Sequence, residues 1–175
     1  MHSRITRTEK DYLIAWLSAA AIVVHIFESA IPSLVPGVKP GLANIVIISV
    51  MLLYGWRTAA WVNLLRVFVA SLLIGTFLSP SFFLSLSGAL SSLLVLWLSQ
   101  FIPGRGFSAL GLSLLAALAH MTGQFVCAFL LFIPHQGLWQ LFPILMTLAA
   151  ILGIINGIIS QKLVHQLNYV ACKTQ

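Results

Sequence analysis

Hydrophobic residues run along this chain in six long segments, separated by short stretches rich in proline, glycine and charge. The segments are Tyr12–Ile31, Leu42–Tyr54, Thr58–Leu78, Phe82–Phe101, Phe107–Ile133 and Leu138–Val164. Most reach the length of about 20 residues that an apolar helix needs to cross a bilayer, and the second is short for a crossing. None alternates over about 10 residues as a transmembrane β-strand does. We predict an all-α integral membrane protein, with a six-transmembrane-helix bundle over 12–165, a basic N-terminal segment over 1–11 and a tail over 166–175.

Composition supports the membrane prediction. Hydrophobic residues make up 60% of the chain and charged residues only 7%, which is too little polar surface for a soluble domain of 175 residues. The first apolar run follows basic residues, as in a signal peptide, but it is longer than a signal core and further apolar segments follow it. We interpret it as a retained first helix.

Basic residues predict the orientation of the bundle. If six helices are threaded in order, seven of the nine lysine and arginine residues fall on one side of the membrane: Arg4, Arg7, Lys10, Arg57, Arg105, Lys162 and Lys173. Only Lys39 falls on the opposite side. Because basic residues accumulate on the cytoplasmic side, both termini are predicted to be cytoplasmic. The net charge of +6 therefore reflects membrane orientation, and we predict no nucleic-acid partner.

Glu28, Lys39 and Arg66 are charges at unusual places in this chain. Glu28 and Lys39 flank a stiff outer loop rich in proline and glycine, where they form either a structural clamp or a gate that faces a ligand. Arg66 lies about 12 Å from the inner end of the third segment, too deep for easy snorkelling. Counting residues places Glu28 about 13 Å higher than Arg66, so we expect no direct pair. An uncompensated Arg66 favours an anionic ligand group or a carbonyl partner.

Polar residues in other segments fall near the depth of Arg66. Asn63 lies one turn away on the same face, and Asn156, His120 and Gln124 lie at similar depth in later segments. They form either a packing network or a ligand site, and His120 is either a core histidine or a proton relay.

Small residues predict close helix contacts. Gly153 and Gly157 form a GxxxG motif around Asn156, which suits packing inside the bundle. Ala15 and Ala19 form a similar pair on the first helix, where another membrane protein could dock.

Catalytic motifs are missing from the sequence. The only acidic residues are Glu9, Asp11 and Glu28, so no pair of Asp-rich motifs can hold magnesium on a diphosphate. Cys127 and Cys172 do not have the spacing of a zinc site. There is no phosphate-binding loop or nucleophile motif. We therefore predict no catalytic residue, no metal, no cofactor and no enzymatic activity of this chain alone.

Four stretches resemble the family named Gx transporter, also called heptaprenyl diphosphate synthase component I. They are the first outer loop from Glu28 through Asn44, the stretch from Arg66 through Gly88, the His120-x-x-Gly123-Gln124 motif, and the stretch from Gly153 to Gly157. The chain has Ser87-Gly88 where the family pattern leads us to expect two glycines.

That family is similar to the substrate-binding S components of energy-coupling-factor transporters. The resemblance implies a bacterial inner-membrane protein that takes a small anionic or mixed-charge micronutrient from outside, and a docking strip at Ala15 and Ala19 for a transmembrane coupling protein with ATPases. It implies six candidate ligand or gate residues, which are Glu28, Lys39, Asn44, Arg66, His120 and Gln124. The family's other name implies an alternative, a non-catalytic membrane subunit of a polyprenyl diphosphate synthase that handles a lipid-like product.

Overall fold

The computed structural model describes residues 7–30, 42–102 and 107–173. These residues form helices and turns and no β-strand. The α-helices are α1 (Arg7–Ala30), α2 (Leu42–Tyr54), α3 (Trp56–Ile74), α4 (Pro80–Ser99), α5 (Ala109–Cys127) and α6 (Phe142–Lys173). A π-helical turn, Ala128–Phe132, extends α5, and a 3₁₀ turn, Gln136–Gln140, precedes α6. The all-helical prediction is confirmed.

Five helical stretches in the described part of the chain are long and apolar enough to cross a membrane. They are Asp11–Ser29, Trp56–Ile74, Pro80–Ser99, Ala109–Phe132 and Gln136–Leu167. These helices indicate a membrane protein. The apolar stretch of α2, Asn44–Tyr54, is shorter. The number of crossings and the side of each terminus therefore stay predictions.

Local signals in the sequence set the helix ends. Gly75 ends α3 in the left-handed conformation (φ 77°), and the N–H of Thr76 donates to the carbonyl of Ser71 across 2.9 Å. Pro80 opens α4 directly after Ser79, a position where its missing N–H costs no helical bond. At the other end of the chain, α6 continues to Lys173 beyond the predicted Val164, because its polar residues also favour a helix.

The short helix α2 lies inside the bundle. It packs against α1, α3, α5 and α6. Four consecutive residues, Ile47 to Val50, are buried, so every face of the helix is covered there. The hydroxyl of Ser160 in α6 donates to the carbonyl of Ile45 across 3.3 Å. Helices from both halves of the chain therefore pack around α2.

Candidate functional site

The inner face of α1 carries polar side chains. Ser18, His25 and Glu28 share one face of the helix with the buried Ala21, because the four positions are spaced by three or four residues. Glu28 is 2% exposed although it is ionisable. It is the strongest polar feature that α1 brings into the bundle.

Helix α3 contributes Asn63 and Arg66, which are 1% and 5% exposed. Arg66 lies within electrostatic range of Glu28 in α1. The two charges therefore act on each other, although counting residues along each segment placed them at different depths, because packing sets the offset between α1 and α3. The expectation that Glu28 and Arg66 form no direct ion pair stays a prediction. The buried guanidinium thus has an opposite charge nearby.

Helix α5 adds His120 and Gln124, which face α4. The amide nitrogen of Gln124 lies 3.2 Å from Nε2 of His120. The ring of His120 lies against Gly88, where an added Cβ would be only 2.7 Å from Cε1 of the ring. Arg66 and His25 both lie within electrostatic range of this ring. The residues Glu28, Arg66 and His120 therefore belong to one polar cluster between α1, α3 and α5.

Several buried polar atoms of this cluster have no hydrogen-bond partner. They are Nε of Arg66, Oδ1 of Asn63 and Nδ1 of His120. Nε of Arg66 is a donor, Oδ1 of Asn63 is an acceptor, and a neutral imidazole nitrogen is either. Because buried polar groups in folded proteins almost always find partners, three such atoms in one cluster indicate bound water or a ligand.

His25 is a member of the cluster that the sequence analysis missed. It precedes Glu28 by three residues and so lies one turn away on the same face of α1. That spacing, in a helix with few polar residues, is the signal that could have identified it.

Of the remaining predicted ligand residues, one lies apart from these contacts and the other lies outside the described residues. Asn44 is half-buried in the first turn of α2. Lys39 and most of the predicted outer loop lie outside the described residues, so the prediction of a gate stays a prediction. Within the described ranges, no group of three His, Cys, Asp or Glu residues could hold a metal ion.

The two small-residue motifs lie in different environments. Gly157 meets α5, where an added Cβ would be 2.7 Å from the Cα of Leu110, and Gly153 lies against Ala117 of the same helix. Asn156, between the two glycines, is 3% exposed. Ala15 and Ala19 are instead exposed on the outer face of α1. The glycine motif of α6 therefore packs against another helix of this chain. The alanine motif of α1 lies on a face that no described residue covers.

An open cleft lies at the end of the bundle where α2 meets α3. It has a volume of about 470 Å³ and is lined by Tyr54, Gly55, Trp56, Arg57, Trp97 and Gln100. The indole N–H of Trp56 donates to the carbonyl of Leu93 across 3.2 Å, which fixes that ring. Arg57 is exposed. The cleft thus combines aromatic walls with one cation, separately from the buried cluster.

Residues 17–163 match the model of the family described as heptaprenyl diphosphate synthase component I. Searches of curated proteins and of solved structures returned no significant match. The match spans most of the chain and includes all six helices at least in part. The chain therefore belongs to the heptaprenyl diphosphate synthase component I family.

Proposed function

We propose that this chain is the membrane-embedded substrate-binding component of a micronutrient uptake transporter. One observation carries the proposal: Glu28, Arg66, Asn63 and His120 form a buried polar cluster in which three polar atoms have no partner. Ionisable groups inside a membrane bundle are costly and mark binding sites or transport routes.

The energy for transport would come from a separate coupling protein with ATPases, since the sequence has no phosphate-binding loop. The exposed alanines Ala15 and Ala19 on α1 supply a surface where such a protein could dock. Small residues let two membrane helices approach closely. The outer loop with Lys39 would close over the bound molecule, with the bundle oriented so that this loop faces outward.

The test is a gentle-detergent pull-down of the full tagged chain from its native membrane, with mass spectrometry of proteins and small molecules. We expect recovery of a multi-span protein with ATPases and of a small polar metabolite. Arg66→Ala should abolish retention of the metabolite, whereas Arg57→Ala, an exposed residue of the same helix, should not. Retention unchanged in Arg66→Ala would reject Arg66 as a ligand residue.

Arg66→Ala also leaves the Glu28 carboxylate without its neighbouring cation, which can destabilise the fold. The double variant Glu28→Gln with Arg66→Gln removes both charges and nearly keeps both shapes. It should remain folded and should still lose the metabolite, which separates loss of binding from loss of structure.

A second candidate function is an accessory membrane subunit of a polyprenyl diphosphate synthase. The family's description names a synthase component, and the cleft beside Arg57 combines aromatic walls with a cation, as an amphiphilic phosphate ester would require. The end of the bundle with this cleft is predicted to be cytoplasmic. Recovery of an Asp-rich soluble prenyl synthase without ATPases would support this function and overturn the transporter.

A further inference from the structure

We propose that the cleft between the α2–α3 turn and the end of α4 binds the headgroup of an anionic glycerophospholipid, with the lipid phosphate against Arg57. The cleft lies apart from the buried polar cluster, and lipid binding there does not depend on transport. The occupant is a lipid of the bilayer, whereas the second candidate function would bring a prenyl phosphate to the same cleft.

The cleft lies at the depth of the lipid headgroups. Trp56 begins the apolar stretch Trp56–Ile74, and Trp97 lies in the last turn of the apolar stretch Pro80–Ser99. The ends of membrane helices lie where hydrocarbon meets headgroups, and tryptophan and tyrosine are enriched there. With Tyr54, three such rings line the cleft. Headgroups of the surrounding bilayer are therefore present at high local concentration beside it.

Contacts within the protein hold two of the aromatic walls in place. The indole N–H of Trp56 donates to the carbonyl of Leu93 across 3.2 Å. The rings of Trp97 and Phe101 meet edge to face, with their centroids 4.9 Å apart. Between the walls, a Cβ added to Gly55 would meet no described atom within 4 Å. The cleft is therefore open at the glycine, and two of its walls are ordered before a headgroup enters.

The charge of the cleft complements an anionic headgroup. Among the described lining residues, Arg57 is the one that carries a charge, and it is exposed. The acidic residues of the chain, Glu9, Asp11 and Glu28, are not among those described as lining the cleft. A guanidinium presents several N–H donors in fixed geometry and pairs well with phosphate. The cleft is also predicted to face the cytoplasmic leaflet, whose anionic lipids attract basic residues.

The uncharged polar groups of the lining suit a glycerophospholipid better than a prenyl phosphate. The amide of Gln100 and the indole of Trp97 are hydrogen-bond donors beside Arg57. A glycerophospholipid carries acceptor oxygens on its ester groups as well as on its phosphate, so it can use these donors together with the guanidinium. A prenyl phosphate has acceptors on its phosphate end alone.

An exposed apolar face continues from the cleft along α4. Leu90, Leu94 and Trp97 are all exposed, and their spacing of three or four residues places them on one face of the helix. A lipid with its phosphate at Arg57 can lay an acyl chain along this face. A free phosphate ion has no group to place there, so the arrangement favours a lipid.

The test is native mass spectrometry of the full chain, delipidated in detergent and titrated with dioleoyl phosphatidylglycerol or dioleoyl phosphatidylcholine. The two lipids have the same acyl chains and differ in net charge. We expect the wild type to bind phosphatidylglycerol about fivefold or more tightly, as one cation beside an anionic headgroup implies. Arg57→Gln should remove this preference.

Two matched controls locate the site. Lys162→Gln removes a cation from a cleft of about 450 Å³ whose described lining has no tryptophan, tyrosine or phenylalanine, and it should leave the preference unchanged. Trp97→Leu should weaken binding of phosphatidylglycerol about twofold or more through loss of a donor and a wall. Trp61→Leu, which changes an exposed tryptophan of α3 outside the described lining, should not weaken it.

Equal binding of the two lipids by the wild type, or a preference for phosphatidylcholine, would overturn the proposal. Equal losses in Arg57→Gln and Lys162→Gln would overturn it too, because they would indicate attraction to basic residues in general. These measurements do not involve the buried cluster or a coupling protein, so lipid binding and the proposed transport function fail separately.

Competition distinguishes the source of the phosphate. Neither inorganic phosphate nor farnesyl phosphate, at the concentration of the lipid, should displace more than half of the bound phosphatidylglycerol. Displacement by farnesyl phosphate would overturn the bilayer lipid as the occupant and support the second candidate function. Displacement by inorganic phosphate would likewise overturn it and indicate a site for free anions.

Discussion

Glu28 in α1 and Arg66 in α3 lie within electrostatic range of each other inside the bundle, and both side chains are almost fully buried. The two residues are far apart in sequence and come from different helices. The two opposite charges act on each other inside the bundle. This pair is the centre of the cluster that also contains His120.

The first prediction concerns the stability of this pair. Glu28→Gln and Arg66→Gln should each lower the free energy of unfolding by about 0.5–3 kcal/mol, because each removes one of two opposite charges that act on each other inside the bundle. The double variant should lose less than the sum, with a coupling energy of ~1 kcal/mol or more. The cycle is measured by denaturant unfolding in mixed micelles. The control cycle uses two exposed residues, with Asp11 changed to Asn and Arg57 changed to Gln. A coupling energy of zero between Glu28 and Arg66, as in the control cycle, would show that the two charges do not stabilise each other.

The second prediction concerns Gly88, which has no side chain and therefore leaves room for the His120 ring. Gly88→Ala puts a Cβ 2.7 Å from Cε1 of His120 and 2.9 Å from Cγ of Gln124, so both side chains must move. We expect ligand retention to fall by about 10-fold or more, since small displacements of a positioned group are costly. Retention is measured by mass spectrometry of the purified protein. Gly111→Ala would place a Cβ 3.3 Å from the Phe107 ring and 3.8 Å from Oγ of Ser108, and it should retain the ligand. Equal loss in both variants would argue against a specific role for Gly88.

The third prediction concerns packing of α6 on α5. Gly157→Ala places a Cβ 2.7 Å from the Cα of Leu110, and this backbone contact cannot move aside as a flexible side chain could. We expect a loss of about 1–3 kcal/mol in unfolding free energy from overpacking. Ile158→Ala, at the next position and exposed, should change stability much less. If Gly157→Ala has the same thermal unfolding midpoint as the wild type, the added Cβ is accommodated between α5 and α6 and the prediction is wrong.

The fourth prediction concerns the outer face of α1. Ala15→Trp with Ala19→Trp should block capture of a coupling protein and leave ligand retention unchanged, because both side chains are exposed and lie away from the polar cluster. Leu90→Trp with Leu94→Trp places the same bulk at the same spacing on an exposed face of α4 and is the control. An intact complex with the α1 variant would refute the docking strip.

The fifth prediction concerns the orientation of the bundle. In a Cys127→Ser background, Cys172 should react with a membrane-impermeant maleimide in inverted membrane vesicles and not in intact cells, because the C-terminus is predicted to be cytoplasmic. A second variant, which also carries Cys172→Ser and has Lys39→Cys as its single cysteine, should react in intact cells. Labelling of Cys172 from outside would reverse the predicted topology.

The sequence by itself determined where the helices lie, because hydrophobic runs and capping residues are local signals. Gly75 and Pro80, for example, mark the end of α3 and the start of α4. The sequence also identified Arg66, Glu28 and His120 as unusual, since ionisable residues stand out in a chain of this composition.

Only the tertiary structure decided which of these residues meet. Counting residues along each segment could not show that the charges of Glu28 and Arg66 act on each other, because the axial offset of two helices depends on how their side chains pack. The same packing buried α2 in the interior and brought Gly88 of α4 against His120 of α5. Helix formation depends on neighbours in sequence, whereas the binding cluster depends on contacts between segments far apart in the chain.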